Sequence, residues 1–584
     1  MLKKNLAALG LAGFVTAFFG AGFVGGNANA LEFVSGTYTL SSESPVTDGI
    51  VVNEGQEVTI NLGGTTVSNT TGKAVIINKG KLTITGEGTV STVNAKTAAV
   101  TNYPGAVLTL NGGTYMSSKW YTIRNYGEIE LNDGVVVKSD GANAGNASMV
   151  TNGWAGATDV NNGDKIVAAD RKSDPKMTIN GGTYTAGLTN CSVIKNDDYS
   201  NLTINGGIFK QPEGSLPECD SVILNWNNAN INNGEFYSEN GPVLSNGAYQ
   251  GTADKGLLNV NGGTFKIGEN GTVFGYGLGG DGIGEVVLAN GEFAEAPRAQ
   301  KANNFLILGG IYGTEPVAEM IKAGYKAVDQ GDGTYVIVLN APAVSDETEN
   351  KDAAGNEALL NGFAVNILQN VINAGTLTDG MVIGGANDTK FVVTNAGLLA
   401  NALSGSMELK LESTAVAAGN DEQALIDAEL PEDAKTLGAY EVAVVLRDAA
   451  GNELGRATEL SEKLKVAFNV ANVDPVAEGY KRTWKVIRIH DGEATTLDAT
   501  YDEATAQVTT ESDLYSLFVP YFIDIMNSIG GGETEDPNLP STPNTGLFTD
   551  RDGKGTDATA VIVTLTAAVT ALALAVYAIK TTRR

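Results

Sequence analysis

Leu108-Thr109-Leu110-Asn111-Gly112-Gly113-Thr114-Tyr115 alternates apolar and polar residues, breaks at Asn-Gly-Gly, and resumes with Thr and an aromatic ring. The line recurs as Met177-Thr178-Ile179-Asn180-Gly181-Gly182-Thr183-Tyr184, as Leu202-Thr203-Ile204-Asn205-Gly206-Gly207-Ile208-Phe209 and as Leu258-Asn259-Val260-Asn261-Gly262-Gly263-Thr264-Phe265. Looser copies start at Val58, Leu82, Ile129, Ala229 and Val286, so successive starts lie 24, 26, 21, 48, 25, 27, 29 and 28 residues apart. The gap of 48 holds two periods, with Ser148-Met149-Val150-Thr151-Asn152 inside it. A second element precedes each copy, as in Val75-Ile76-Ile77-Asn78, Val193-Ile194-Lys195-Asn196 and Val222-Ile223-Leu224-Asn225. Each unit therefore reads strand, Asn turn, strand, Asn-Gly turn, strand. Such pieces are too short to bury a core alone, but parallel stacking encloses a continuous apolar column.

The turn residues have mechanical roles. Asn78, Asn102, Asn125, Asn152, Asn196, Asn225 and Asn246 fall at equivalent positions. Stacked amides can hydrogen-bond along the column and satisfy backbone groups that the bend leaves unpaired. The glycines allow φ > 0. Both roles are structural, and neither set is expected to contact a ligand. Two-residue Asn-Gly turns also suit antiparallel hairpins, so a series of β-sandwiches is the competing fold.

Over about half the chain the repeat resembles the β-helix folds of pectate-lyase-like proteins and bacterial adhesins, which implies an all-β, right-handed parallel β-helix over residues 31–340. The segment Gly324-Tyr325…Gly331-Asp332-Gly333-Thr334-Tyr335 is similar to the closing hairpin of such repeats and would cap the open sheet edge. Residues 341–350 read as a linker. Residues 351–527 mix a helical period over 363–377 with alternating strands, and resemble the β-sandwich stalk modules of wall-anchored proteins.

The two ends carry an address. Residues 1–30 join Lys3 and Lys4 to an apolar run and close on Ala28-Asn29-Ala30, the small-x-small pattern of a signal-peptide cleavage site. Residues 558–579 hold no charge and are long enough, at about 1.5 Å per residue, to cross a bilayer as a C-terminal transmembrane helix. Lys580, Arg583 and Arg584 follow, placing that end on the cytoplasmic side. An acidic spacer over 528–545 leads into Pro543-Asn544-Thr545-Gly546, and a tail over 546–584 begins at that Gly. Spacer, motif, apolar span and basic tail together resemble a sortase sorting signal. The resemblance implies cleavage after Thr545, transient contact with a sortase, covalent attachment to peptidoglycan, and a place on the wall of a monoderm bacterium. Thr542 stands where that motif usually has Leu. A second frame, Leu539-Pro540-Ser541-Thr542, is followed by Pro543, whose ring suits a cleavage cleft poorly.

The chain of 584 residues has a net charge of −29. Removing both ends takes away seven basic and three acidic residues and makes it −33. This argues against a nucleic-acid partner, whose phosphates need basic patches. One histidine, His490, and two cysteines leave no His-built metal site, zinc finger or Fe–S cluster, and no cofactor is expected. Cys191 and Cys219 lie 28 residues apart, about one coil; they could close a disulfide between coils or stay as two buried thiols.

Trp120, Tyr121, Trp154 and Trp226 fall near turns, where aromatic faces could stack on sugars or simply plug the corners. Asp197-Asp198 is the one carboxylate pair that could serve a glycosidase, and reads equally as a loop after a ladder asparagine. Two functions remain. The first is a non-enzymatic adhesin or binding scaffold for an unknown glycan or protein. The second is a wall-anchored polysaccharide lyase or hydrolase.

Overall fold

A computed structural model describes residues 30–527, apart from 93–96, 118–120, 140–146, 155–159, 163, 167–172, 189–190, 214–220, 248–255, 277–283, 299–302, 349, 351–352, 385–388 and 471–472. Leu108 pairs with Leu82 on one side and Ile129 on the other, one repeat away in each direction and always parallel. That register rules out a series of hairpins and makes the repeat region a parallel β-solenoid.

Each coil has three strand faces. The first is an eleven-stranded sheet from Gly36–Thr39 through Lys81–Thr85 and Val107–Asn111 to Asn303–Ile307. The second carries Ile76–Asn78, Val100–Asn102, Ile123–Asn125, Ala147–Asn152, Cys191–Asn196 and Ile223–Asn225. The third carries Thr114–Ser117, Val136–Ser139, Thr183–Thr185 and Ile208–Gln211. Two long strands, Glu235–Asn246 and Thr264–Tyr276, run through both the second and third faces and join them into one twenty-stranded sheet.

The apolar alternation explains the packing. Leu82, Ile84, Leu108, Leu110, Ile129 and Leu131 point inward and are buried, while Thr83 and Thr109 between them face out. The aromatic that closes each repeat also points inward. Tyr184, Phe209, Phe236, Phe265, Phe293 and Tyr312 form one stack, with ring centroids 4.8–4.9 Å apart and planes within 4–11°. The spacing is the strand spacing of about 4.8 Å, so backbone pairing and ring stacking are satisfied by the same translation. The Tyr184 and Tyr312 hydroxyls keep hydrogen bonds by donating to Gly181 O and Gly309 O, both at 2.9 Å.

The parallel stack stops at an antiparallel hairpin. Tyr325–Asp329 pairs with Tyr335–Leu339, which in turn pairs antiparallel with Ile311–Tyr312. The reversal covers the last coil's open edge.

Beyond the hairpin, residues 341–350 hold a strand where a linker is expected, and helices join the strands of 351–527. Ala343–Asp346 is a strand, paired parallel with Met407–Val416. Three helices follow: α1 (Ala353–Ala374), α2 (Ala396–Ala402) and α3 (Asn420–Glu429). Among the described residues they accompany a twelve-stranded sheet network. Leu360, Phe363, Ile367 and Val371 recur at helical spacing along α1 and pack with Leu409, Val444 and Val466 of the sheet in one core. The period expected over 363–377 falls, up to Ala374, in the C-terminal part of a longer helix. Its first turn, Ala353-Ala354-Gly355-Asn356, holds no large apolar residue to mark it in the chain. Among the described residues no helix is long and apolar enough to cross a membrane; residues 558–579 lie outside them.

Candidate binding surface

The glycines after each asparagine form a trough. Gly182, Gly207 and Gly234 stack in consecutive coils with φ of +94°, +116° and +137°. At Gly182 a Cβ would come within 2.6 Å of Val135 O, so the position demands glycine twice over, by conformation and by space. With no side chains there, an open groove of about 550 Å³ runs along the solenoid, lined also by Asp133, Thr183, Asn233, Glu235 and Thr264.

Just ahead of these glycines in the chain runs a second asparagine ladder. Asn132 donates to Asn111 at 2.7 Å, Asn180 to Asn132 at 2.7 Å, Asn205 to Asn180 at 2.8 Å, Asn232 to Asn205 at 2.8 Å and Asn261 to Asn232 at 2.9 Å. These amides sit at the surface. In the sequence this Asn reads only as the start of a turn; its recurrence ahead of Gly-Gly, Asp-Gly or Asn-Gly is the signal that marks the column.

Beyond the trough, the outward column of the third face reads Lys138, Thr185, Lys210, Tyr237, Lys266, one residue per coil. The three lysines are exposed, and among the described residues no hydrogen bond or ion pair engages their ammonium groups. Tyr237 is half-buried and donates its hydroxyl to Glu239, a contact that raises the phenol's pKa by stabilising the protonated form. Lys210, Tyr237 and Lys266 line a second groove of about 410 Å³ with Pro212, Glu213, Glu235 and Phe236.

The first asparagine ladder has a different environment. Asn78 donates to Asn102, and so on through Asn125, Asn152, Asn196 and Asn225 to Asn246, at 2.7–2.9 Å. All seven side chains are buried, and their second contacts go to backbone carbonyls such as Val107 O, Glu128 O and Lys176 O. This column holds the turn; it offers nothing to solvent.

Trp154 and Trp226 do not present open faces. Trp154 is 1% and Trp226 5% exposed. Trp154 packs on Tyr126 with centroids 4.7 Å apart and against Ile166 of a short hairpin, Val160–Asn162 with Asp164–Ile166. Lys195 sits 3.9 Å over the Trp226 ring and pairs with Asp197 at 3.1 Å. Arg124 lies 4.6 Å over half-buried Tyr121 and donates to the Tyr126 hydroxyl. Burial pushes the Tyr126 phenol up to about 12, with Arg124 opposing. The rings plug the corner because outward cations on neighbouring strands, Arg124 and Lys195, cover them.

Asp197 and Asp198 are buried in the same corner. Burial raises the Asp197 carboxyl above its ordinary value, opposed by Lys195 and Arg124. The pair flanks a ladder asparagine and does not open on either groove. Cys191 begins the strand Cys191–Asn196. Cys219, Trp120, Ala28 and Pro543, Asn544, Thr545 and Gly546 lie outside the described residues. Ala30 is the first described residue and is half-buried. Among the described residues no cluster of three or more His, Cys, Asp or Glu could hold a metal ion. Comparison with family models, with curated proteins and with solved structures finds no match.

Proposed function

We propose that the chain is a secreted, cell-wall-anchored surface protein that acts as an adhesin or binding scaffold. The observation that carries this reading is the open groove along the solenoid, floored by Gly182, Gly207 and Gly234 and lined by Asp133, Asn233 and Glu235, with an exposed lysine–tyrosine column further along the same strands. A volume of several hundred Å³ with few convergent polar groups is what ligand sites offer. Burial of Asp197 and Asp198 away from that groove favours binding over hydrolysis, because a general acid must reach the bond it protonates. In this reading the repeat is a right-handed β-helix of the adhesin type. Residues 1–30 direct export, a sortase joins Thr545 to peptidoglycan, and residues 558–579 hold the membrane before sorting. The test incubates the chain 31–545 with an immobilised glycan panel. Retention without cleavage supports the scaffold, whereas new unsaturated or reducing ends would replace it with the lyase or hydrolase reading.

A further inference from the structure

The outward column of the third face alternates. Lys138, Lys210 and Lys266 occupy every second coil, while Thr185 and Tyr237 occupy the coils between. At a strand spacing of about 4.8 Å the ammonium groups recur roughly every 9.6 Å along the axis. The intervening coils are neutral or negative: Thr183 flanks Thr185, and Glu235 and Glu239 flank Tyr237 on its own strand. In a chain of net charge −29, three exposed lysines in one line, without partners among the described residues, are a local exception that attracts negative charge.

We infer that this column binds an extended acidic glycan carrying one carboxylate per disaccharide, lying parallel to the solenoid axis. Successive sugars of an extended β-linked glycan recur at close to the strand spacing, so one disaccharide spans two coils. Its carboxylate then meets a lysine, and the uncharged sugar between them lies on the Tyr237 ring. A glycan charged on every residue would set a carboxylate beside Glu235 and Glu239, which repel it. This inference rests on the binding-scaffold reading and names its ligand.

The test titrates a fluorescent hyaluronan decasaccharide, which has one carboxylate per disaccharide, into the chain 31–545. Saturable binding that weakens with added salt is expected. The triple variant Lys138→Gln, Lys210→Gln, Lys266→Gln should weaken it about tenfold or more. A charge-matched control, Lys326→Gln, Lys463→Gln, Lys481→Gln, should leave it unchanged. All six positions are exposed, and far-ultraviolet circular dichroism checks that both variants fold. Lys210→Glu alone should act in the same direction as the triple change. No binding of hyaluronan would overturn the inference, as would equal loss in the control. Equal affinity for a polygalacturonate decamer or for single-stranded DNA would also overturn it, by removing the spacing argument. The scaffold reading is judged separately, by retention on the glycan panel: another ligand retained there would leave that reading standing while this one fell.

Discussion

Two ladders of the same residue type, one buried and one exposed, allow the worth of an amide to be separated from its count of hydrogen bonds. Asn125 accepts from Asn102 Nδ2 at 2.7 Å and from Gly127 N at 3.2 Å. It donates to Asn152 Oδ1 at 2.7 Å, and to Gly127 O and Lys176 O at 3.0 Å each. Asn125→Ala leaves these five polar atoms short of a partner in a column with no exposure. At about 0.5–1.5 kcal/mol for each lost contact, and with several partners keeping other bonds, the expected cost is about 3–5 kcal/mol. Asn132 donates to Asn111 and accepts from Asn180, both at 2.7 Å, but at the surface. Water replaces the amide in Asn132→Ala, and the expected cost is about 0.5 kcal/mol. The assay is urea unfolding of the chain 31–545, with hydrogen exchange at the affected coils as a local readout, because a solenoid can open coil by coil. If the two substitutions cost the same within about 1 kcal/mol, burial is not what gives the inner ladder its weight, and the reasoning fails.

Three further outcomes are expected. Phe236→Ala removes a ring held between Phe209 at 4.9 Å and Phe265 at 4.8 Å, and should cost about 4 kcal/mol in the same urea experiment; Phe236→Leu should cost clearly less. Asp197 has its folded pKa raised by burial, so its contribution to stability is full at pH values below the ordinary carboxylate range and is lost as pH rises through the folded value. Thermal melts between about pH 4 and 7 should accordingly show a shallower loss for Asp197→Asn than for the parent, and parallel profiles would contradict the shift. Muralytic digestion of cells should release a C-terminal peptide ending at Thr545 joined to a wall fragment; an intact tail through Arg584 on most molecules would exclude covalent anchoring.

The repeat was legible in the sequence because a solenoid maps a linear period directly onto space. Leu82, Leu108 and Ile129 are one period apart in the chain and neighbours in the sheet, so spacing alone sets their register. The buried ladder was legible for the same reason: Asn78 to Asn246 recur at the same place in each unit. The C-terminal body was not, since α1 begins in small residues that carry no apolar stripe and strands such as Ala343–Asp346 find partners more than sixty positions away, at Met407–Val416. Periodicity carries no information about such long-range pairing.

Sequence by itself determined the coil, its inward residues and the residues at its turns, because local alternation and turn chemistry act within one period. Only the tertiary structure decided which polar groups meet solvent. Asn125 and Asn132 look alike in a line of text, yet one is sealed and the other is not. Trp154 and Trp226 look like binding residues until the coil next door covers them with Tyr126 and Lys195. Lys138, Lys210 and Lys266 are separated by 72 and 56 residues and become a line only when unequal coils are stacked. Insertions at the turns change the spacing in the chain without changing the spacing in the stack, so the charge pattern exists in three dimensions and not in one.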